Sequence, residues 1–369
     1  QITVQMVCST AILSSSLALS LLRHSSTPSE SFVLSPFSLD SALAIIADGS
    51  GGTTQKELTN LLLNGCSPSD VTAHYSSLAL SLPSTNESGV AFKSANRFYV
   101  DDSISLKKDY QKHVEDKYKV KVENTKLSNK ADAATEMNKF VEGATNGKIK
   151  DIISADGISD DAKAILINAI YFLGKWKTPF AATSTFKRTF KGAKGDREIP
   201  FMSKSARKFK ANLENDIGTV LIMPYQDEQY NFFYLMPKED SNLEKMRNEL
   251  TGDKLVNVLK GAHDSMVDIY VPKFNIESKL DGVDVLSKLG VKTLFNNGAD
   301  LSKISATALK VSKITHKAFI ETDELGTEAS AATAMEMVPM SLRPMITLDR
   351  PFLFGILKND DILFLGQFN

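Results

Sequence analysis

The sequence predicts an α+β fold, with helices first and strands later, and two observations carry that expectation. Apolar residues recur at helical spacing through most of 10–146, punctuated by Gly, Pro and Ser. From 164 to 368, short apolar runs of strand type dominate instead. The elements therefore do not alternate as βαβ units would. A chain of 369 residues has room for two or three domains or one large one, and enough length to bury a sizeable core. With 42% hydrophobic and 24% charged residues, disorder and fibrous repeats are excluded.

Leu13, Leu17 and Leu21 recur at i, i+4 and i+8, which predicts an amphipathic helix over 10–24. Within it, SSSLALSLLRH resembles a secretory apolar core, but no basic stretch precedes it and Ser and Thr interrupt the run. The chain, starting at Gln1, reads as a mature form with no export signal in view. Further helices are expected over 38–47, 53–63, 69–82, 105–117 and 130–146. Strands enter at 89–100 (GVAFKSANRFYV) and 164–172 (AILINAIYF). The second run is almost continuously apolar, as suits a strand buried on both faces. Later strands are expected over 219–224, 231–236, 266–274, 309–321, 351–357 and 362–368, the last two joined at Asn359, Asp360 and Asp361.

Composition and motifs narrow the function classes. Forty-three basic against 44 acidic residues leave a net charge of −1, which gives no electrostatic reason to expect nucleic acid. No apolar run reaches the ~18–20 residues of a membrane span. Cys8 and Cys66 exclude a disulfide framework and a four-cysteine zinc site; they read as two free thiols, with one disulfide as the alternative. The five histidines never occur in HxxxH or HExxH spacing, so no metal site is expected. GATNGK at 143–148 is one residue short of a P-loop and lacks the following Ser or Thr, so no nucleotide cofactor is expected. DGSGG at 48–52 resembles a nucleophile loop, but its residues are in the wrong order and it lies between two helical runs, so a helix–helix turn explains its glycines.

A basic cluster spans 187–210: Lys187, Arg188, Lys191, Lys194, Arg197, Lys204, Arg207, Lys208 and Lys210. Phe186, Phe190, Phe201 and Phe209 interleave with it, which reads as strands with one wet face. A polyanion such as a glycosaminoglycan is the alternative partner for this region.

The segment 321–343, ETDELGTEASAATAMEMVPMSLR, is unlike the rest. Apart from Glu328, residues 327–334 are small. Glu324, Glu328 and Glu336 fall on even positions, while Thr327, Ala329, Ala331, Thr333 and Met335 occupy the odd ones. A period of two with one small, uncharged face is what a loop needs if it is to become a central strand. Met337, Val338, Pro339, Met340 and Ser341 follow as extended, substrate-like chain.

GTEASAATA at 326–334 resembles the hinge of inhibitory serpins, and DRPFLFGIL at 349–357 resembles their C-terminal signature. SPFS at 35–38, NAIYF at 168–172 with GKW at 174–176, FNNGADL at 295–301 and HKA at 316–318 are similar to further serpin motifs in the family's order. The resemblance implies a single serpin domain over 1–369, with three β-sheets, eight or nine helices and an exposed reactive centre loop over about 324–344. It implies a monomer and no enzyme: a suicide substrate that is cut, acylates a serine protease one to one, and inserts its loop into the main sheet.

Mapped onto this sequence, the hinge comprises Glu324, Gly326, Thr327, Glu328, Ala329, Ser330, Ala331, Ala332 and Thr333. The family's spacing puts the scissile bond between Met340 and Ser341, with Val338 and Pro339 flanking it. Arg343 is the rival bait, but Pro344 follows it, and a bond to proline nitrogen is a poor protease substrate. Met340 suits the apolar pockets of chymotrypsin-, elastase- or cathepsin-G-like proteases. Ser35, Ser38, Asn168 and His316 match the polar cluster beneath the sheet, Trp176 the tryptophan at its breach, and Glu324 with Lys273 a pair bracing the loop. The family's heparin-binding helix has no counterpart, since 67–82 lacks Lys and Arg. A non-inhibitory carrier or chaperone is the alternative within the family, and a hydrolytic enzyme the alternative outside it. Asn86, in the sequon Asn86-Glu87-Ser88, is a glycosylation candidate and favours an extracellular location; unpaired cysteines would fit the cytoplasm.

Overall fold

A computed structural model describes residues 10–63, 68–84, 87–326 and 343–369. The first half supplies α1 (Thr10–Ser25), β1 (Phe32–Leu34), α2 (Pro36–Gly49), α3 (Gly52–Leu63), α4 (Pro68–Ser81), β2 (Val90–Asp101), α5 (Lys108–Tyr118), β3 (Lys121–Thr125), α6 (Lys130–Ala144) and β4 (Ala164–Gly174). Then come β5 (Thr185–Gly192), β6 (Gly195–Asn212), β7 (Gly218–Pro224), β8 (Tyr230–Pro237), α7 (Leu243–Glu249), α8 (Gly252–Lys260) and β9 (His263–Pro272). The chain ends with β10 (Phe274–Asp281), α9 (Gly282–Lys288), β11 (Lys313–Thr322), β12 (Met345–Thr347), β13 (Phe352–Lys358) and β14 (Asp361–Phe368).

Five strands form one sheet in the order β10-β11-β4-β2-β3, and nine form a second network, β1-β14-β13-β8-β7-β6-β9-β12 with β5 on β6. Where the family implies three sheets, strand pairing among the described residues links the strands into these two networks, the larger one continuous through β6, which pairs with β5, β7 and β9. The 18 residues of β6 pair with β9 on both sides of a register shift between Lys204 and Arg207, while the other edge pairs with β5 at its start and β7 at its end.

The six early helices stand where the periodicity puts them, α5 starting three residues late. Three short helices, α7 to α9, interrupt the strand-rich half, each started by a side-chain cap: Asn242, Thr251 and Asp281 accept from Lys245, Lys254 and Val283 amides. Leu17 and Leu21 of α1 are buried, as an amphipathic helix requires. Helix α2 opens at Ser35, whose extended backbone and Oγ, accepting from Ser38 N at 3.2 Å, make an N-cap with Pro36 behind it. It is buried nearly all round and packs against β4 and β14.

Strand β4 is buried at every position. Ala164, Leu166, Ile170 and Phe172 join the main core with α2, while Ile165, Ile167, Ala169, Tyr171 and Leu173 join a second core with Met137 and Val141 of α6. That two-sided burial explains the continuous apolar run. Asn168 has even parity and so faces α2. At DGSGG, only Gly52 is left-handed (φ 52°), and Ser50 is spent donating to Ala47 O at 2.8 Å.

Candidate functional site: the seam between β4 and β11

Strands β4 and β11 lie side by side and run parallel, with seven register pairs from Ile165/Lys313 to Tyr171/Phe319. Parallel neighbours joined by neither hairpin nor bulge leave a seam that an antiparallel strand could enter and pair with on both sides. Two fastenings hold it closed.

The first is mid-ladder, where Asn168 and His316 are register partners. His316 Nδ1 donates to Asn168 Oδ1, and His316 Nε2 accepts from Ser35 N at 3.0 Å. Asn168 Nδ2 reaches Ser38 O and Ser38 Oγ at 2.9 Å each and Asn96 Oδ1 at 2.7 Å, three acceptors for two hydrogens. Ser35 Oγ donates onward to Leu363 O at 2.6 Å, tying the cluster to β14. Burial pushes the His316 pKa down to about 3, so the ring is neutral and its two nitrogens keep one donor and one acceptor role. Beside the seam, Thr315 Oγ1 and Thr322 Oγ1 are buried without partners, a local cost that β11 carries while closed.

The second fastening is past the end of the ladder, which stops three residues short of both strand ends. There the chain turns back at Asp323, whose Oδ1 accepts from Leu325 N and Gly326 N at 2.8 and 3.0 Å. Trp176, fully buried and stacked on Tyr225 at 4.6 Å, donates Nε1–H to Asp323 O at 2.9 Å. Glu324 meets Lys273 Nζ and Thr185 Oγ1, both at 2.7 Å. Burial alone would raise its carboxyl, but those bonds prevail and hold it below the usual range. Gly326 has φ 139° and bridges Lys175; a side chain there would collide with the Gly174 carbonyl.

The structure thus gathers the predicted residues in two places: Ser35, Ser38, Asn168 and His316 at mid-seam, and Trp176, Lys273, Glu324 and Gly326 at its end. Thr327 to Thr333, Val338, Pro339, Met340, Ser341, Asn86, Cys8 and Cys66 lie outside the described residues. Sequence reasoning missed Asn96, Thr185, Asp323 and Tyr225. Only Asn96 had a signal, a polar residue at the inward parity of an apolar strand.

In the basic region, Phe190, Phe201 and Phe209 are core and only Phe186 is exposed. Three of the four rings are thus unavailable for stacking on nucleic acid. Arg188 lies over Tyr270 at 4.1 Å, Lys191 pairs with Asp349 and Lys208 with Asp264. Lys204 points inward to the Thr178 and Pro179 carbonyls, its pKa pushed by burial to about 8.

Residues 13–369 match the family described as Serpin (serine protease inhibitor). The chain is a serpin. It is 33% identical over 362 residues to the leukocyte elastase inhibitor of Equus caballus, covering 94% of each chain. It is 32% identical over 358 residues to Iripin-2 of Ixodes ricinus, covering 93% of this chain and 89% of that one. Among solved structures, Serpin48 of Tenebrio molitor superposes with a TM-score of 0.86 at 29% identity, covering 97% of this serpin and 96% of that chain. Human thyroxine-binding globulin superposes at 0.88 with 26% identity, covering 98% of each. The family's members are inhibitors and binders, not catalysts. Among the described residues, no helix is long and apolar enough to cross a membrane.

Proposed function

We propose that this serpin is a suicide-substrate inhibitor of chymotrypsin-, elastase- or cathepsin-G-like serine proteases. In this reading the reactive loop over about 324–344 is attacked at the bond between Met340 and Ser341, giving an acyl-enzyme on the Met340 carbonyl while the Ser341 amine leaves. The freed loop enters the seam between β4 and β11, carrying the protease away before water deacylates it. The observation that carries the reading is the closed parallel seam with Gly326 at its open end. About a dozen inserted residues, at ~0.5–1.5 kcal/mol per new ladder bond, supply on the order of 10 kcal/mol. The small hinge residues argue for insertion over the carrier role that the kinship with thyroxine-binding globulin would allow.

Incubation with a panel of serine proteases should give covalent complexes on denaturing gels with the chymotrypsin and elastase classes. The released fragment should begin at Ser341; a start at Pro344 would move the bait to Arg343. Met340→Arg should shift inhibition toward trypsin-like proteases. Oxidation of Met340 should weaken it, because a sulfoxide is polar in an apolar pocket. Turnover of every protease without any complex would overturn the reading.

A further inference from the structure

Helix α7 buries Leu243, Met246 and Arg247, so a guanidinium stands where the helical period calls for an apolar side chain. Arg247 is only 3% exposed and reaches the end of α1, where it meets Arg23, itself half-buried.

Every bond these two guanidinium groups make is to a main-chain carbonyl. Arg247 Nη2 donates to Leu22 O at 3.2 Å and to Ser26 O at 2.8 Å. Arg23 Nε donates to Arg247 O at 2.6 Å, and Arg23 Nη2 to Leu250 O. These carbonyls lie at the C-terminal ends of α1 and α7, whose partial negative charge draws cations. A partial charge does not neutralise two full ones. Arg247 Nη1 is buried without a partner, and Arg23 Nη1 bonds nothing among the described residues. Glu30 and Glu244 act on Arg247 only from beyond ion-pairing distance, and Arg23 acts on it more strongly than either. Glu30 Oε1 is also occupied, accepting from Thr27 N at 2.6 Å. Burial holds both arginines below their ordinary pKa, and Arg23 lowers Arg247 further. A guanidinium keeps its proton even so, and a buried charge without a counter-ion is costly. Relief has to come from an anion.

We propose that Arg23 and Arg247 hold a divalent tetrahedral oxyanion, phosphate or sulfate, between the end of α1 and α7. Each Nη1 carries two hydrogens, so the pair offers up to four donors to the oxygens of one ion. Arg247 is sealed and Arg23 is not, so the ion enters from the Arg23 side.

Melting is followed at fixed pH and ionic strength while phosphate replaces chloride. The midpoint should climb to a plateau, by about 3 °C once phosphate is in a hundredfold excess over its dissociation constant. Sulfate should reach the same plateau. Arg247→Glu gives Arg23 a carboxylate in place of the ion and should lose the rise. Arg23→Gln, at the half-buried member, should weaken the response at least tenfold, and it decides the matter should Arg247→Glu fail to fold. Lys254→Gln, which removes a nearby cation of α8 that donates to Glu249 O, should keep the full rise. A rise that stays linear in concentration and alike in every variant would be general salt exclusion and would overturn the site. So would a wild-type plateau in Arg23→Gln, or an equal loss in Lys254→Gln. No protease enters the measurement, so its result stands apart from whether the protein traps one.

Discussion

Replacing His316 by Ala removes the central piece of the mid-seam fastening. Two buried groups then lose their partners, Asn168 Oδ1 and the Ser35 N–H. At about 1–3 kcal/mol for each orphan, the loss is about 2–6 kcal/mol. Melting entropy near 2.1 cal/mol/K per residue gives roughly 0.8 kcal/mol/K for this chain, so Tm should fall by roughly 3–8 °C. The specific consequence is that β4 and β11 part more readily, so His316→Ala should polymerise below its own melting temperature. Leu58→Ala, in a fully buried residue of α3 away from the seam, supplies the comparison, since it should cost about 2–5 kcal/mol by cavity formation alone. Both variants are held at equal intervals below their own midpoints and run on native gels. His316→Ala should form ladders first; equal rates would mean that the cluster contributes only bulk stability.

Three further outcomes follow. Burial takes His316 down to about 3 from 6.5, so its contribution to stability is complete above pH 6.5 and is lost as pH falls toward 3. Asp40, fully buried with Tyr75 OH at 2.9 Å on one oxygen, is pushed up to about 8 from 3.8, so its contribution is lost as pH rises from 3.8 to 8. The slopes, each about 1.4 kcal/mol per pH unit, oppose each other from 3.8 to 6.5. Chemical denaturation should thus show wild type losing stability from pH 6.5 to 8 and Asp40→Asn holding it; matching profiles would remove Asp40 from the account. Glu324→Gln breaks the partly buried pair with Lys273 and should hasten spontaneous loss of inhibitory activity at 37 °C; an unchanged half-life would mean that the pair does not restrain the loop. Thr327→Arg should convert the inhibitor into a substrate, as argued below.

The sequence made the seam legible and its fastenings only in part. Strand β4 announced itself because burial on both faces demands an unbroken apolar run, which also makes Asn168 conspicuous within it. Helices α7 to α9 escaped because seven to nine residues hold barely two turns, too few for a period to emerge. Strand β10 alternates strictly between buried and exposed, yet the expected strand stops at 274 and leaves 275–281 unassigned. Thr185 carries no mark of its partnership with Glu324, since the two are 139 positions apart and meet only after β5 and β11 are placed. Asp323 acts largely through backbone geometry, which side-chain patterning does not encode.

The bridge between Lys175 and Gly326 is antiparallel, and continued in that register it sets how an entering loop would pair. Thr327 would then stand opposite Gly174, Ala329 opposite Phe172, Ala331 opposite Ile170 and Thr333 opposite Asn168. Paired residues face the same side of a sheet, and even positions of β4 face α2. The odd, uncharged positions of the hinge would therefore enter the main core, and Glu328, opposite Leu173, would turn to the α6 side. The ladder is already open at that end, so Thr327 enters first and Thr333 reaches the Asn168–His316 fastening later. An arginine at 327 would bring an unpaired charge into the core at the first step, at a cost of several kcal/mol. Acylation, at the far end of the loop, would proceed at the wild-type rate while insertion lagged, and the protease would be recovered active. Glu328→Arg also places an arginine in the hinge but on the face that already bears a charge, so it should still trap. Denaturing gels and recovered protease activity separate the two variants, and equal trapping by both would refute the parity on which loop insertion is argued.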